Sequence, residues 1–147
     1  MMRDRIAAFT LIELTMVLVV VALIMAAAIP RVGMMIESSR KAATLEEMME
    51  IKRAIVGDPQ VTSGGQLVNA GYEGDVGTLP DNLLALSVKP PTVPSYNRFT
   101  RRGWNGPYID PSNSDYLLDA WGVAYQYNRN NRTLTSVGGS ETLVITF

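Results

Sequence analysis

Residues 9–30 read FTLIELTMVLVVVALIMAAAIP, 22 positions with one ionisable side chain, Glu13, at the fifth of them. An apolar run of this length meets the roughly 20 residues that a helix needs to cross the hydrocarbon core of a bilayer. A carboxylate inside such a helix costs about 2.5–3.5 kcal/mol at its centre and less near an end. A partner of opposite charge is therefore expected for Glu13. Were the chain cut between Ala8 and Phe9, the new α-amino group of Phe9 would lie about one helical turn away.

Beyond Pro30 the pattern becomes amphipathic. Met35, Ala42, Leu45, Met49 and Val56 recur near helical spacing, joined by Met48 and Ile55, while Glu46, Glu47, Glu50, Lys52 and Arg53 fall on the other sides. The periodicity predicts one helix that stops at Gly57-Asp58-Pro59, a glycine followed by a proline that cannot continue it. Pro30 lacks an N–H and predicts a kink near Ala26. Residues 9–56 span about 70 Å as a helix, more than a small domain can bury, so the first half must meet lipid or other copies of itself. Met48 and Met49 are read as core filler of the body, Met34 and Met35 as contacts outside it.

Residues 58–121 are punctuated by Gly64, Gly65, Gly71, Gly74, Gly77 and Pro80, and read as loop-rich. One short helix is predicted over 80–87, started by Asp81 or Asn82 with Leu83, Leu84 and Leu86 as its apolar face. From residue 122 the period drops to two. Val123, Tyr125 and Tyr127 alternate with Ala124, Gln126 and Asn128, and Asn130-Asn131 predicts a two-residue hairpin turn. Leu134 and Val137 belong to a return strand, Gly138-Gly139 to a second turn, and Leu143, Val144, Ile145 and Phe147 to a last strand. The fold class expected is α+β, with a long N-terminal transmembrane helix continuing into a small domain that carries a three-stranded antiparallel sheet. The divisions are 1–8, a basic leader; 9–30, the apolar helix; 31–57, its amphipathic continuation; 58–121, the loop-rich region; and 122–147, the sheet.

Composition narrows the chemistry. The chain has no Cys and no His, which removes thiolate metal sites, Cys nucleophiles, disulfides and the commonest general base. Net charge is -1 over 147 residues, and nothing in it calls for nucleic acid as a partner. Arg98, Arg101 and Arg102 are read as a solvated loop. Arg3 and Arg5 precede the apolar run and favour a cytoplasmic N-terminus.

The run Phe9, Thr10, Leu11, Ile12, Glu13, Leu14 after a short basic leader, with Pro30 further on, resembles the class III signal of type IV pilins and type II secretion pseudopilins. The family nearly always has Gly before the cut, where this chain has the equally small Ala8. Gly103-Trp104-Asn105-Gly106-Pro107-Tyr108 and Asp119-Ala120-Trp121-Gly122-Val123-Ala124-Tyr125-Gln126-Tyr127 resemble signatures of the major pseudopilin. The resemblance implies a pilin-like fold, cleavage by a prepilin peptidase between Ala8 and Phe9, and N-methylation of Phe9. It implies Glu13 as an assembly residue and Pro30 as a helix kink. It also implies a homo-oligomeric helical filament, raised from the inner membrane on an assembly platform with minor pseudopilins, the body being periplasmic. The family's calcium ion in the last turn is not carried over. The turn here is Ser136-Val137-Gly138-Gly139-Ser140-Glu141, with one carboxylate where calcium takes about six to eight oxygens. No cofactor is therefore expected, calcium being unsupported by this acid-poor turn, with Asp110, Asp115 and Asp119 of the preceding loop the remaining source of carboxylates for it.

Competing readings differ in what they predict. A secretory signal peptide, with Ala26-Ala27-Ala28 as its cleavage site, would leave a chain starting at Ile29. A plain anchor would keep Met1 or Met2. A type IV pilus subunit shares the processing of a pseudopilin and differs in the apparatus. A membrane-anchored enzyme would draw on Asp110, Asp115 or Asp119, and a secreted binding module would use Trp104, Trp121 and the tyrosines as a carbohydrate platform. The signal peptide has no use for Glu13, and glycine-flanked aromatics more often pack a loop onto a small core.

Overall fold

The computed structural model describes residues 10–147 apart from 61, 64, 65, 68, 111 and 113. Helix α1, Leu11–Val56, is 46 residues long and contains Pro30. Arg40–Phe147 forms one compact unit, and the residues up to Ser39 form another.

In the first unit the described apolar side chains stand exposed. Leu11, Ile12, Leu14, Met16 to Val21 and Leu23 to Met25 supply exposed hydrophobic side chains, and so do Met34 and Met35. Among the described residues this is the one helix long and apolar enough to cross a membrane.

In the second unit α1 buries a stripe. Thr44, Met48, Ile51 and Ile55, spaced four, three and four apart, are at most 1% exposed, with Ala54 beside them. Each fully buried Ile or Met contributes about 1.5–3 kcal/mol relative to exposure. Met49 belongs elsewhere: it is 41% exposed, because it stands about 100° round the helix from Met48. Leu45, at 37%, shares that outward face. The helix ends at Val56, where Gly57 takes φ +83° and its N–H donates to Arg53 O at 2.8 Å.

Strands β1, Thr62–Ser63, and β2, Gln66–Leu67, pair antiparallel. Helix α2, Gly71–Val76, follows, within the stretch read as loop. The predicted helix over 80–87 is a single 3-10 turn, Leu83–Leu86, capped by Asn82 Oδ1 accepting from Ala85 N–H at 3.2 Å. At three residues per turn, Leu83 and Leu86 face the core together and Leu84 points outward, 51% exposed. A second 3-10 turn covers Ser114–Leu117.

The sheet comprises β3, Gln126–Asn128, β4, Thr133–Ser136, and β5, Leu143–Thr146, in that spatial order and antiparallel throughout. Leu134 lies opposite Tyr127 on one side and Ile145 on the other. It joins Tyr125, Leu143 and the α1 stripe in one core. The turn between β3 and β4 is four residues, 129–132, not the two expected at Asn130-Asn131. Its positive φ falls on Arg132, at +53°. Asn131 instead donates its N–H to Asn128 Oδ1 at 3.0 Å. Arg132 is held in this unfavourable conformation by its side chain. Both terminal nitrogens donate to the Glu73 carboxylate at 2.8 Å, and Nε donates to Phe147 O at 2.5 Å.

Candidate functional site

The start of α1 is the first half of the candidate site. Thr10 stands immediately before the helix, and its Oγ1 accepts the N–H of Glu13 at 3.3 Å. Its carbonyl accepts the N–H of Leu14 at 3.1 Å. Thr10-Leu11-Ile12-Glu13 thus has the spacing of a capping box, with an acid in the first turn where helix N–H groups favour negative charge. This local signal accompanies the apolar run and can be read from the sequence. The hydrogen bond shown is made by Thr10 Oγ1 to the Glu13 backbone, and the Glu13 carboxylate lies in the first turn, where the helix end favours negative charge. Glu13 is exposed, as are the apolar side chains around it. Ala8 and Phe9, the residues expected to flank a cleavage point, lie outside the described residues. Pro30 falls inside α1, whose helical assignment continues through it.

The second half is what the two aromatic motifs do. Trp104 Nε1 donates to Ala85 O at 3.0 Å, and its ring meets Tyr108 edge-on at 5.9 Å and 89°. Tyr108 in turn meets Tyr72 at 5.7 Å and donates its hydroxyl to Asp75 Oδ2 at 3.0 Å. Gly103, at φ +115°, passes so close to Ser95 that an added Cβ would lie 2.5 Å from its carbonyl oxygen. These rings lock a loop to the core and stand edge to face, unlike the coplanar surface a sugar would stack on. Burial pushes the Tyr108 hydroxyl far above the ordinary tyrosine range, although the N–H of Asn105 donated to it acts the other way.

In the second motif Asp119 is the hub. It is 4% exposed. Oδ1 accepts the N–H groups of Trp121 at 3.0 Å and Val123 at 2.9 Å; Oδ2 accepts Ser136 Oγ at 2.6 Å and Gly138 N–H at 3.1 Å. Burial alone would raise its pKa, but these hydrogen bonds outweigh burial and hold the carboxyl below its ordinary range. Trp121 covers the same turn, since a Cβ on Gly139 would lie 2.7 Å from its ring. Tyr125 carries the tie on to α1, donating its hydroxyl to Glu47 Oε2 at 2.8 Å, and Ala120 N–H donates to Thr44 Oγ1 at 3.2 Å.

Of the three acids proposed for an enzyme, Asp115 has its side chain outside those described. Asp119 is committed to its turn, and Asp110 is exposed and accepts Ser112 N–H at 2.8 Å. Among the described residues no group of three or more Asp or Glu is arranged to hold a metal ion. The last turn gains a side-chain tie from Glu141, which pairs with Lys41 of α1. Sequence reasoning did not find Asp119 as the organiser of this turn, because its donors lie up to 19 residues away.

No family model, curated protein or solved structure matches the chain.

Proposed function

We propose that this chain is a pilin-like structural subunit, most similar to the major pseudopilin of type II secretion. A prepilin peptidase would cut after Ala8 and methylate Phe9, and the subunits would pass from the inner membrane into a filament whose centre is the packed apolar helices. The observation that carries this reading is the division of labour within α1. One stretch exposes apolar side chains from Leu11 to Met25 with Glu13 in its first turn, while the other supplies the core of a folded body. A stretch of helix whose apolar side chains stand exposed needs either lipid or copies of itself, and a filament drawn out of a membrane uses both in turn.

Glu13 is the residue on which the assembly step turns. In lipid neither a carboxylate nor an amine has a good partner, and the attraction between them is strong at low dielectric. Pairing Glu13 with the α-amino group of Phe9, on its own or a neighbouring subunit, would bring the two charges together as a subunit joins. Removing one member of a buried pair typically costs about 3–5 kcal/mol. A Glu13→Ala or Glu13→Gln chain should therefore insert and be cut after Ala8, yet give few filaments. Filament yield on overexpression, with leader cleavage measured in the same cells, tests this. Normal filaments from Glu13→Ala would show that the acid is not an assembly contact.

A further inference from the structure

The stretch between Asp81 and Asp110 holds Lys89, Arg98, Arg101 and Arg102 and none of the chain's 14 acidic residues, although acids outnumber bases over the whole chain. The three arginines fall in one turn, and Phe99 stands among them. Its ring is 92% exposed, the most of the large hydrophobic side chains described. Arg98, Thr100, Arg101 and Arg102 are exposed as well.

Hydrogen bonds hold this tip in place. Asn97 Oδ1 accepts the N–H groups of Phe99 at 2.9 Å and Thr100 at 3.4 Å, and Asn97 N–H donates to Arg102 O at 2.8 Å. Below the turn, Tyr96 N–H donates to Trp104 O at 3.0 Å, and Gly103 N–H donates to Asp75 O of α2 at 2.9 Å. The Arg102 guanidinium lies against Gly77, at the end of the same helix. A basic turn fixed to the core on one side thus presents a bare aromatic on the other.

We propose that this turn is an interfacial anchor: Phe99 enters the headgroup boundary of a bilayer that carries anionic lipid, with Arg98 and Arg101 among the phosphates. The proposal rests on the reading of α1 as a membrane span and goes beyond the filament. Aromatic rings settle at that boundary, and each Lys or Arg beside an anionic surface raises partitioning about fivefold. One ring and a few cations would hold a free protein weakly, because stable attachment takes two signals. Here the second signal is in the same chain, a helix long and apolar enough to cross a membrane. Tethering makes the encounter of the tip with lipid intramolecular, so a weak contact is enough. A fluid surface also demands no shape-matched pocket. A second copy or a nucleic acid would also meet a basic aromatic tip. The bilayer is favoured because α1 already supplies one.

The full-length chain reconstituted into vesicles tests this. Having no Cys, it takes a single fluorescent label at Thr100→Cys, beside an intact Phe99. In vesicles of phosphatidylcholine with added phosphatidylglycerol, lipids carrying a nitroxide near the headgroup are expected to quench this label. They should leave a label at exposed Thr142→Cys bright. Omitting phosphatidylglycerol or raising the salt should weaken the quenching. Phe99→Ala should lower partitioning of the tip roughly tenfold. Arg98→Glu should lower it roughly twentyfold, at about fivefold per unit charge, and Arg98→Lys should retain it. Equal quenching at 100 and 142, or equal quenching with and without the anionic lipid, would overturn the proposal. So would a tip label shielded from lipid and from aqueous iodide alike, the mark of a contact with a second copy. A tip that binds an oligonucleotide while unquenched by lipid would overturn it in favour of nucleic acid. An unquenched tip in a chain whose Val20→Cys label is quenched deep in the acyl region would refute the anchor and leave the span standing. Tip quenching with the Val20→Cys label outside the bilayer would do the reverse.

Discussion

Ser136 Oγ donates to Asp119 Oδ2 at 2.6 Å, joining the inner face of β4 to the loop that precedes β3. Both residues are buried. Asp119 collects N–H and O–H groups from Trp121, Val123, Ser136 and Gly138 onto one negative charge.

Removing that charge should be costly. Asp119→Ala leaves a hydroxyl and three N–H groups without their acceptor. Each that stays buried and unpaired costs about 1–3 kcal/mol. Thermal unfolding of fragment 32–147 should show a loss of at least about 2 kcal/mol for Asp119→Ala, and less for Ser136→Ala. Gly138→Ala should also destabilise, because its Cβ would lie 2.5 Å from Asp119 Oδ2. An unchanged melting temperature in Asp119→Ala would mean that water replaces the carboxylate without loss.

Acid should act through the same group. Hydrogen bonds hold the folded-state pKa of Asp119 below its ordinary value, despite burial, and the Arg132 guanidinium does the same for Glu73. A depressed carboxylate contributes stability that is present above the ordinary carboxylate range, near pH 4, and is lost as pH falls through the folded value. Stability of the fragment should therefore be flat near neutrality and decline below about pH 5. Asp119→Asn should decline less steeply. Equal acid slopes for the two would assign the decline to other groups.

Calcium should change little. Both Asp119 oxygens are already engaged by protein donors, and Glu141 is paired with Lys41. Millimolar calcium, or a chelator, should move the melting temperature of the fragment by no more than about 2 °C, equivalent to a fraction of a kcal/mol. A large chelator-sensitive shift would establish a metal site that this geometry does not suggest.

How far the fold could be read from the sequence varied with the range of the interactions involved. The long helix and its stop at Gly57 were legible, because apolar run length and a Gly-Asp-Pro punctuation are local. The three strands were legible for the same reason, although β3 begins at Gln126, after Val123 and Tyr125, and β4 ends at Ser136, before Val137. Met49 and Leu84 were misplaced, since neighbouring apolar residues leave the buried member undecided until a partner surface chooses it. Helix α2 was hidden in a glycine-rich stretch whose apolar members, Tyr72 and Val76, find their meaning only against distant residues of the core. The hairpin turn went to Arg132 because Glu73 and Phe147, far away in sequence, hold its side chain. Of the candidate site, Glu13 was legible as a costly acid. The Asp119 hub was not, because it depends on hydrogen bonds that form only in the folded body.

The central claim is that the chain is processed and assembled as a pilin-like subunit, and the N-terminus of the mature protein tests it most directly. Mass spectrometry of the chain purified from membranes is predicted to show a first residue Phe9 carrying an N-methyl group, with residues 1–8 gone. A chain beginning at Ile29, or one retaining Met1 or Met2, would contradict the account.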